Sequence, residues 1–406
     1  RAIDFHAQDL EISREIGDRA GESSALGNLG IAYRNLGQYE QAIDLSQQHL
    51  AISREIGDRA GESRALGNLG IAYFSLGQYE RAIDFHAQDL EISREIGDRA
   101  GESSALGNLG IAYRNLGQYE QAIDLSQQHL AISREIGDRA GESRALGNLG
   151  IAYRNLGQYE RAIDLSQQHL AISREIGNRA GESRALGNLG IAYFSLGQYE
   201  RAIDFHAQDL EISREIGDRA GESSALGNLG IAYRNLGQYE RAIDLNEQHL
   251  EIAREIGDRA GEGLALGNLG NVYRNLGQYE RALEQYGQAV ALFDDLGARS
   301  EESLFLSNIG KLLNVQAQPE LAIIFLKASV DVREEIRGDI RGLSTDLQQS
   351  FTDTVAGTYR LLADLLLQQD RIIEAQRVLD LLKVQELDDY LRDVQRNAQT
   401  ETGVRS

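Results

Sequence analysis

Along residues 58–97 the apolar and small side chains fall into two helical phases separated by a single break. Leu66, Leu69, Gly70 and Tyr73 follow the i, i+3, i+4, i+7 spacing that puts side chains on one face of a helix. Asp58 stands before this helix as an N-cap, and Glu62 sits in its first turn, where a carboxylate suits the helix dipole. Leu76, Gly77 and Gln78 interrupt the pattern. Tyr79, Ala82, Ile83, Leu90 and Ile92 then form a second apolar face, which ends at Ile96 and Gly97, glycine being the residue that readily takes the left-handed helix-closing conformation. Two antiparallel helices of this length cannot bury both faces alone, so each pair must stack on its neighbours.

The same pattern returns along the chain. Leu-Gly-Asn-Leu-Gly recurs with its last residue at Gly30, Gly70, Gly110, Gly150, Gly190, Gly230 and Gly270, a constant step of 40. Residues 1–40 reappear unchanged at 81–120 and 201–240. Asn178 replaces the capping Asp in one unit; Asn caps as well as Asp does, which favours a capping role over a catalytic one. Beyond residue 300 the copies drift, but Ile309-Gly310, Leu313 and Ala322 keep the register, and Pro319 fits a first helical turn. Tyr359, Leu362, Ala363, Leu366, Ala375, Leu379 and Leu382 restore the spacing once more. The expected organisation is near-identical units over 1–300, starting inside a second helix, and a degenerate unit over 301–340. A longer divergent helix pair over 341–396 and a frayed polar tail over 397–406 follow.

Leu66, Leu69, Gly70, Tyr73, Gly77, Tyr79 and Ala82 stand at the spacing of the tetratricopeptide repeat (TPR) signature, with Leu where that consensus often has Trp. The 40-residue unit resembles the TPRs of kinesin light chains and of bacterial signalling proteins. The resemblance implies an all-α, right-handed superhelical solenoid of antiparallel helix pairs. The chain departs from the family where the second helix usually carries an aromatic and a small residue: here stand His86 and Asp89, or Ser126 and His129, so a polar seam is expected in place of an apolar one. The stretch from Glu334-Glu335-Ile336-Arg337-Gly338 to Lys383–Leu391 resembles the segment that precedes the caspase-like CHAT domain of bacterial TPR-CHAT proteins.

Charge narrows the partners. A formal charge of -22 works against broad contact with nucleic acid or an anionic membrane. No apolar run is long enough to span a bilayer and no signal segment opens the chain, so it reads as soluble and cytoplasmic. The absence of cysteine removes disulfides, thiolate metal sites and a cysteine nucleophile from these residues. Arg1 falls within a helical pattern and the chain has no Met, which suggests a piece of a longer protein.

Candidate chemistry is mostly repetitive. His6, His86 and His206 occupy one repeat position, and His49, His129, His169 and His249 another three residues later. One His per unit makes a poor cage for a metal, whose ligands must converge within about 2 Å of one centre, so no metal or other cofactor is expected. Asp89, one turn from His86, is a simple partner for a half-buried imidazole. Gly67 and Gly70 lie within a helical face and permit close packing, unlike the glycines of a phosphate-binding loop. Glu91, Glu95, Asp98 and Glu102 recur without a nucleophile and read as a solvated face, so the chain is not expected to be an enzyme.

Helical phase points to a binding surface instead. Arg144, Asn148, Ile151 and Asn155 project opposite the packing face, and this stripe should line an inner curve. The TPR resemblance implies that an extended or helical peptide binds there, with asparagines on the ligand main chain. The candidate groove residues are Asn68, Asn108, Asn148, Asn188 and Asn228, joined by Arg114, Arg154, Arg234, Phe74 and Phe194. Two readings stay open for the asparagines, which either hold a ligand or merely solvate the groove and bond a neighbouring helix. Ile71 and its copies are read as packing between helices. Basic and aromatic spots in an acidic molecule favour a protein or peptide partner with acidic and apolar side chains. The function expected is a protein-protein interaction scaffold, the regulatory part of a TPR-CHAT protease; a self-assembling rod with end-to-end contacts is the alternative.

Overall fold

The computed structural model describes residues 1–340 and 345–382, and side chains outside 339–354 within them. Two compact units, residues 1–216 and 217–406, are distinguished by their internal packing. The first holds α1 (Ala2–Ile16), α2 (Arg19–Asn35), α3 (Tyr39–Ile56), α4 (Arg59–Ser75), α5 (Tyr79–Glu95), α6 (Arg99–Asn115), α7 (Tyr119–Glu135), α8 (Arg139–Asn155), α9 (Tyr159–Glu175), α10 (Arg179–Ser195) and α11 (Tyr199–Ile216). The second holds α12 (Arg219–Asn235), α13 (Tyr239–Ile256), α14 (Arg259–Asn275), α15 (Tyr279–Asp295), α16 (Arg299–Val315), α17 (Pro319–Ile340), α18 (Thr345–Gln368) and α19 (372–382). Among the described residues there is no strand, and the architecture is an all-α array of antiparallel helix pairs.

Local chemistry sets every turn. Gly77 takes φ +72°, its N–H donates to the Phe74 carbonyl and the Gln78 N–H to the Tyr73 carbonyl, which closes α4 with a Schellman motif. At the other end Gly57 does the same for α3, and Asp58 follows at once as N-cap, its carboxylate accepting from the Gly61 N–H at 2.9 Å. Asn178 caps α10 in the same way, accepting from Gly181 at 3.0 Å. Each such cap contributes about 1 kcal/mol.

Packing follows from the two phases. Around α4 and α5 the core consists of Ala65, Leu66, Leu69 and Tyr73 with Ala82 and Ile92, and Leu50 of α3 joins them. The helices approach closely because Gly67 and Gly70 leave a hollow. His86 lies in it: a Cβ on Gly70 would fall 2.5 Å from the imidazole. In the alternative unit type the hollow of α8 takes His169 over Gly147 and Ser166 over Gly150. In the second unit the first pair still lodges His249 over Gly227 and Asn246 over Gly230, and from α14 aromatics take over, with Tyr286 over Gly270 and Phe293 over Gly263. The core there is apolar and includes Tyr359, Leu362 and Leu366 of α18.

Two expectations about polar groups need correction. His86 and Asp89 do not pair: the Nδ1 atom of His86 is buried without a partner, whereas Oδ1 of Asp89 accepts from Ser63 and lies 3.5 Å from the Ser93 hydroxyl. An imidazole lodged over a glycine is held by shape, and the nearer serine hydroxyls compete for the carboxylate. The repeating carboxylates are not all solvated either. Glu102 is only 6% exposed, because Arg94 and Arg99 both donate to it; Arg99 also reaches Glu135 of α7. Glu95 pairs with Arg59, Asp98 caps α6, and Glu91 alone of the four is a plain surface residue.

Substituting the hollow should separate its two occupants. Gly150→Ala would place a methyl 3.1 Å from a small Ser166 hydroxyl and gain up to about 1 kcal/mol of helix propensity; the expected urea midpoint is unchanged or raised. Gly70→Ala meets a rigid ring and should lower stability by about 1–3 kcal/mol. Equal responses would refute the account of the hollow. At the turn after α16, Ala317 stands in the left-handed region at φ 56°, where most units have glycine. Ala317→Gly should therefore raise stability by roughly 0.5–1 kcal/mol, the left-handed strain being partly offset by glycine's greater freedom when unfolded; a lower urea midpoint would contradict this.

Candidate partner-binding groove

The first helices of successive repeats touch one another, α6 on α8 and α8 on α10, and their outward stripes lie side by side. Between α8 and α10 this leaves a cleft of about 330 Å³. Arg144, Asn148 and Ile151 line one side and Arg184 and Asn188 the other, with Ile111 at the edge and His169 at the floor. Helical phase thus brings Asn148 and Asn188 together in one cavity.

Asn68, Asn108, Asn148, Asn188 and Asn228 are all half-buried. None of their amides forms a hydrogen bond with a described residue, so no neighbouring helix takes them. Each retains its two N–H donors and its carbonyl acceptor for water or a ligand. Ile111 and Ile151 are half-buried in the same groove, which makes them part of its wall as well as packing residues.

The basic and aromatic positions lie in the last turns of the first helices. Arg114 and Arg154 are half-buried and neither meets a described carboxylate; Arg154 donates to Asn155 Oδ1 at 3.4 Å. Burial holds both guanidiniums below the usual arginine range; Arg154 repels Arg114, and Tyr119 partly compensates. Phe74 meets Tyr79 and Phe194 meets Tyr199 in tilted ring contacts, each with centroids 5.2 Å apart. Arg234 occupies the same repeat position in the second unit and is half-buried. An anion brought to Arg114 and Arg154 would replace like-charge repulsion by charge-assisted hydrogen bonds.

The histidines from His49 onward lie between the two helices of a pair, each alone against a glycine, and of these His169 also reaches the floor of the cleft. Among the described residues no three His, Asp or Glu side chains converge as metal ligands. The arginine-carboxylate chain that the sequence reading missed is legible afterwards: Arg54, Arg59 and Glu62 are spaced so that both arginines reach one buried carboxylate.

Comparison with known proteins bears on the repeats and the fold. A family model described as tetratricopeptide repeat matches residues 1–55, 21–95, 61–135, 101–175, 141–215, 181–255 and 221–295; two further TPR models match 268–334 and 356–380. The chain belongs to the tetratricopeptide repeat family. Human G-protein-signaling modulator 1 is 48% identical over 42 residues, a match spanning 10% of this TPR chain and 6% of that protein. The quorum sensor NprR of B. thuringiensis, in its apo form, superposes with a TM-score of 0.62 at 15% identity, covering 82% of this chain and 97% of that one. The Rap conjugation regulator of plasmid pLS20, solved with the Phr* peptide, gives 0.57 at 16% identity over 84% and 95%. A Podosopora anserina structure of kinesin-light-chain type with nearly identical TPR-like repeats gives 0.42 at 22% identity over 48% and 96%. No helix among the described residues of this TPR array is long and apolar enough to cross a membrane.

Burial gives the seam a pH dependence. The imidazoles of His86, His129, His169 and His206 are pushed down to about 4 by burial, and His49 and His249 are lowered for the same reason. Unfolded histidines titrate near about 6.5, so from there down to about 4 the unfolded chain binds more protons and stability falls as pH falls. Burial pushes Asp89 up to about 6 against the pull of Ser63 and Ser93, which acts in the opposite sense. Six histidines outweigh it. The melting temperature should drop steadily from pH 7 to pH 4.5, and less steeply in His129→Gln; a flat or rising profile toward acid would refute a neutral, buried seam.

Proposed function

We propose that this TPR array is a recognition arm that holds an extended or helical segment of another protein along the stripe of first-helix asparagines. The observation that carries the reading is the cleft between α8 and α10, where Asn148 and Asn188 present amides that no described residue satisfies. A half-buried amide with free donors and acceptor is suited to a peptide main chain, which offers both in alternation. Phe74, Phe194, Arg114 and Arg154 add apolar and cationic contacts, so the partner is one with apolar and acidic side chains. That the pLS20 Rap regulator was solved with a peptide is in keeping with such a use of this fold. The array itself carries no chemistry in this reading.

We also infer that in its full-length context the array precedes a CHAT protease domain, for which it serves as the regulatory part. The support is the resemblance of the stretch from Glu334–Gly338 to Lys383–Leu391 to the segment that precedes the CHAT domain of bacterial TPR-CHAT proteins. In the first of these segments, Glu334 accepts from the Tyr359 hydroxyl at 2.5 Å and from Arg337 at 2.7 Å. The second lies outside the described residues, as does the polar stretch 397–406. The coding sequence beyond Ser406 tests this directly, and a continuation without a His and Cys dyad would reject it.

The groove is tested with peptides selected from a random display library on the full chain. Asn108→Ala, Asn148→Ala and Asn188→Ala combined should melt like the parent, since the side chains make no described hydrogen bond. Each lost bond to a peptide main chain costs about 0.5–1.5 kcal/mol, so affinity should fall by roughly ten- to a thousandfold. Early melting would make the amides structural; normal melting with undiminished binding would remove them from the site.

A further inference from the structure

In the first unit the outward stripe repeats with little change. Arg64, Ser104, Arg144 and Arg184 hold its first position and Asn68, Asn108, Asn148 and Asn188 its second. Ile71, Ile111, Ile151 and Ile191 hold the third. A segment lying on equal steps meets the same groups when it shifts by one repeat, so such a stripe gives affinity without fixing a register.

The second unit departs from this pattern at α14 and α16, all on the same stripe. Leu264 and Leu304 replace Arg or Ser and are each 46% exposed; Val315 replaces Asn or Ser and is 65% exposed. Asn271 and Lys311 replace Ile. The helices bearing them are in direct contact, because Phe305 of α16 closes over Gly267 of α14 with no room for a Cβ. Asn271 is already engaged, accepting from the Tyr286 hydroxyl at 2.8 Å. Lys311 is exposed and Arg274 half-buried, and neither meets a carboxylate among the described residues. Partial desolvation of its ammonium, and then the like charges of Arg333 and Arg274, hold Lys311 below the usual lysine range. Arg333 is 5% exposed, donates to the Ser303 hydroxyl and the Val355 carbonyl at 3.4 Å each, and adds a fixed positive charge to this part of the unit.

Single exposed leucines need no explanation. Three apolar side chains on adjoining helices beside unpaired cations, in a chain of net charge -22, form a pattern with two sides. We propose that the stripe of α14 and α16 is the register-setting part of the recognition surface and takes an acidic amphipathic protein segment. Leu264, Leu304 and Val315 receive its apolar side chains, and Arg274 and Lys311 its carboxylates. The proposal rests on the reading of the stripe as the binding face.

Peptides selected from a random display library on the full chain are titrated by fluorescence polarisation against parent and variants. The selected peptides should combine Leu, Ile or Phe with Asp or Glu at helical spacing. They should bind Leu304→Ser and Lys311→Glu at least roughly tenfold more weakly, and peptides with the acids changed to Lys should recover affinity on Lys311→Glu. Neither residue is buried, so unchanged melting is expected; should one variant unfold, Val315→Ser and Arg274→Gln carry the same test. Peptides that weaken on the triple Asn→Ala variant yet bind Leu304→Ser and Lys311→Glu like the parent would overturn this proposal and leave the groove reading standing. Peptides indifferent to both sets, or a selection that returns none, would overturn both.

Discussion

The hollow left by Gly67 and Gly70 in the first helix of each pair governs the rest of the architecture. Without a side chain at either position, the second helix lies close enough for its own side chains to lodge against the bare backbone, as His86 does over Gly70. Interior glycines disfavour a helix by about 1 kcal/mol each, and the lodged imidazole leaves Nδ1 without a partner. A pair of helices built this way is weak alone. Its stability comes from stacking, where the buried leucines of one repeat meet the next and Arg59 ties Glu62 to Glu95 across helices.

That dependence explains why the carboxylates of the first turn are not ornamental. Burial alone would raise the Glu62 carboxyl, but hydrogen bonds from Arg54 and Arg59 outweigh it and hold the group below the usual range. One carboxylate serves two guanidiniums, and one guanidinium serves two carboxylates. The motif conveys charge pairing from repeat to repeat while its arginines stay partly in water, so the desolvation that often offsets buried ion pairs falls mainly on the glutamate.

Periodicity made most of the fold legible. The Asp58 cap, the break at Leu76 to Gln78 and the Gly97 stop, repeated at the 40-residue step, are local signals, and each appears in the structure as a turn with the expected bonds. The polar seam was also legible, as a departure from the aromatic and small residues of the TPR pattern. What sequence spacing concealed was who bonds whom across the seam. His86 and Asp89 are one turn apart on one helix, which suggests a pair, but Ser63 reaches the carboxylate from the other helix. Likewise Glu102 counts as exposed by composition and as buried once Arg94 and Arg99 enclose it. Partners distant in sequence are invisible to helical phase. The stripe of α14 and α16 escaped for another reason: in a chain dominated by copies, Leu264 and Lys311 look like drift until their exposure on one face is seen.

Repetition and selectivity pull against each other on such a surface. Four equivalent positions, those of Asn68, Asn108, Asn148 and Asn188, offer a short segment about four equivalent placements, an entropic gain of roughly RT ln 4, or about 0.8 kcal/mol. The gain favours occupancy and opposes a unique register. A single contact that exists in only one placement and contributes more than that suffices to reverse the balance, and one charge-assisted hydrogen bond at about 1.5–3 kcal/mol does so. Packing leaves the outward stripe free to carry such a contact, because the buried leucines that hold the pairs together lie on the opposite face of the first helix. Near-identical repeats therefore need few departures to become selective, and those departures are tolerated where the fold does not depend on them.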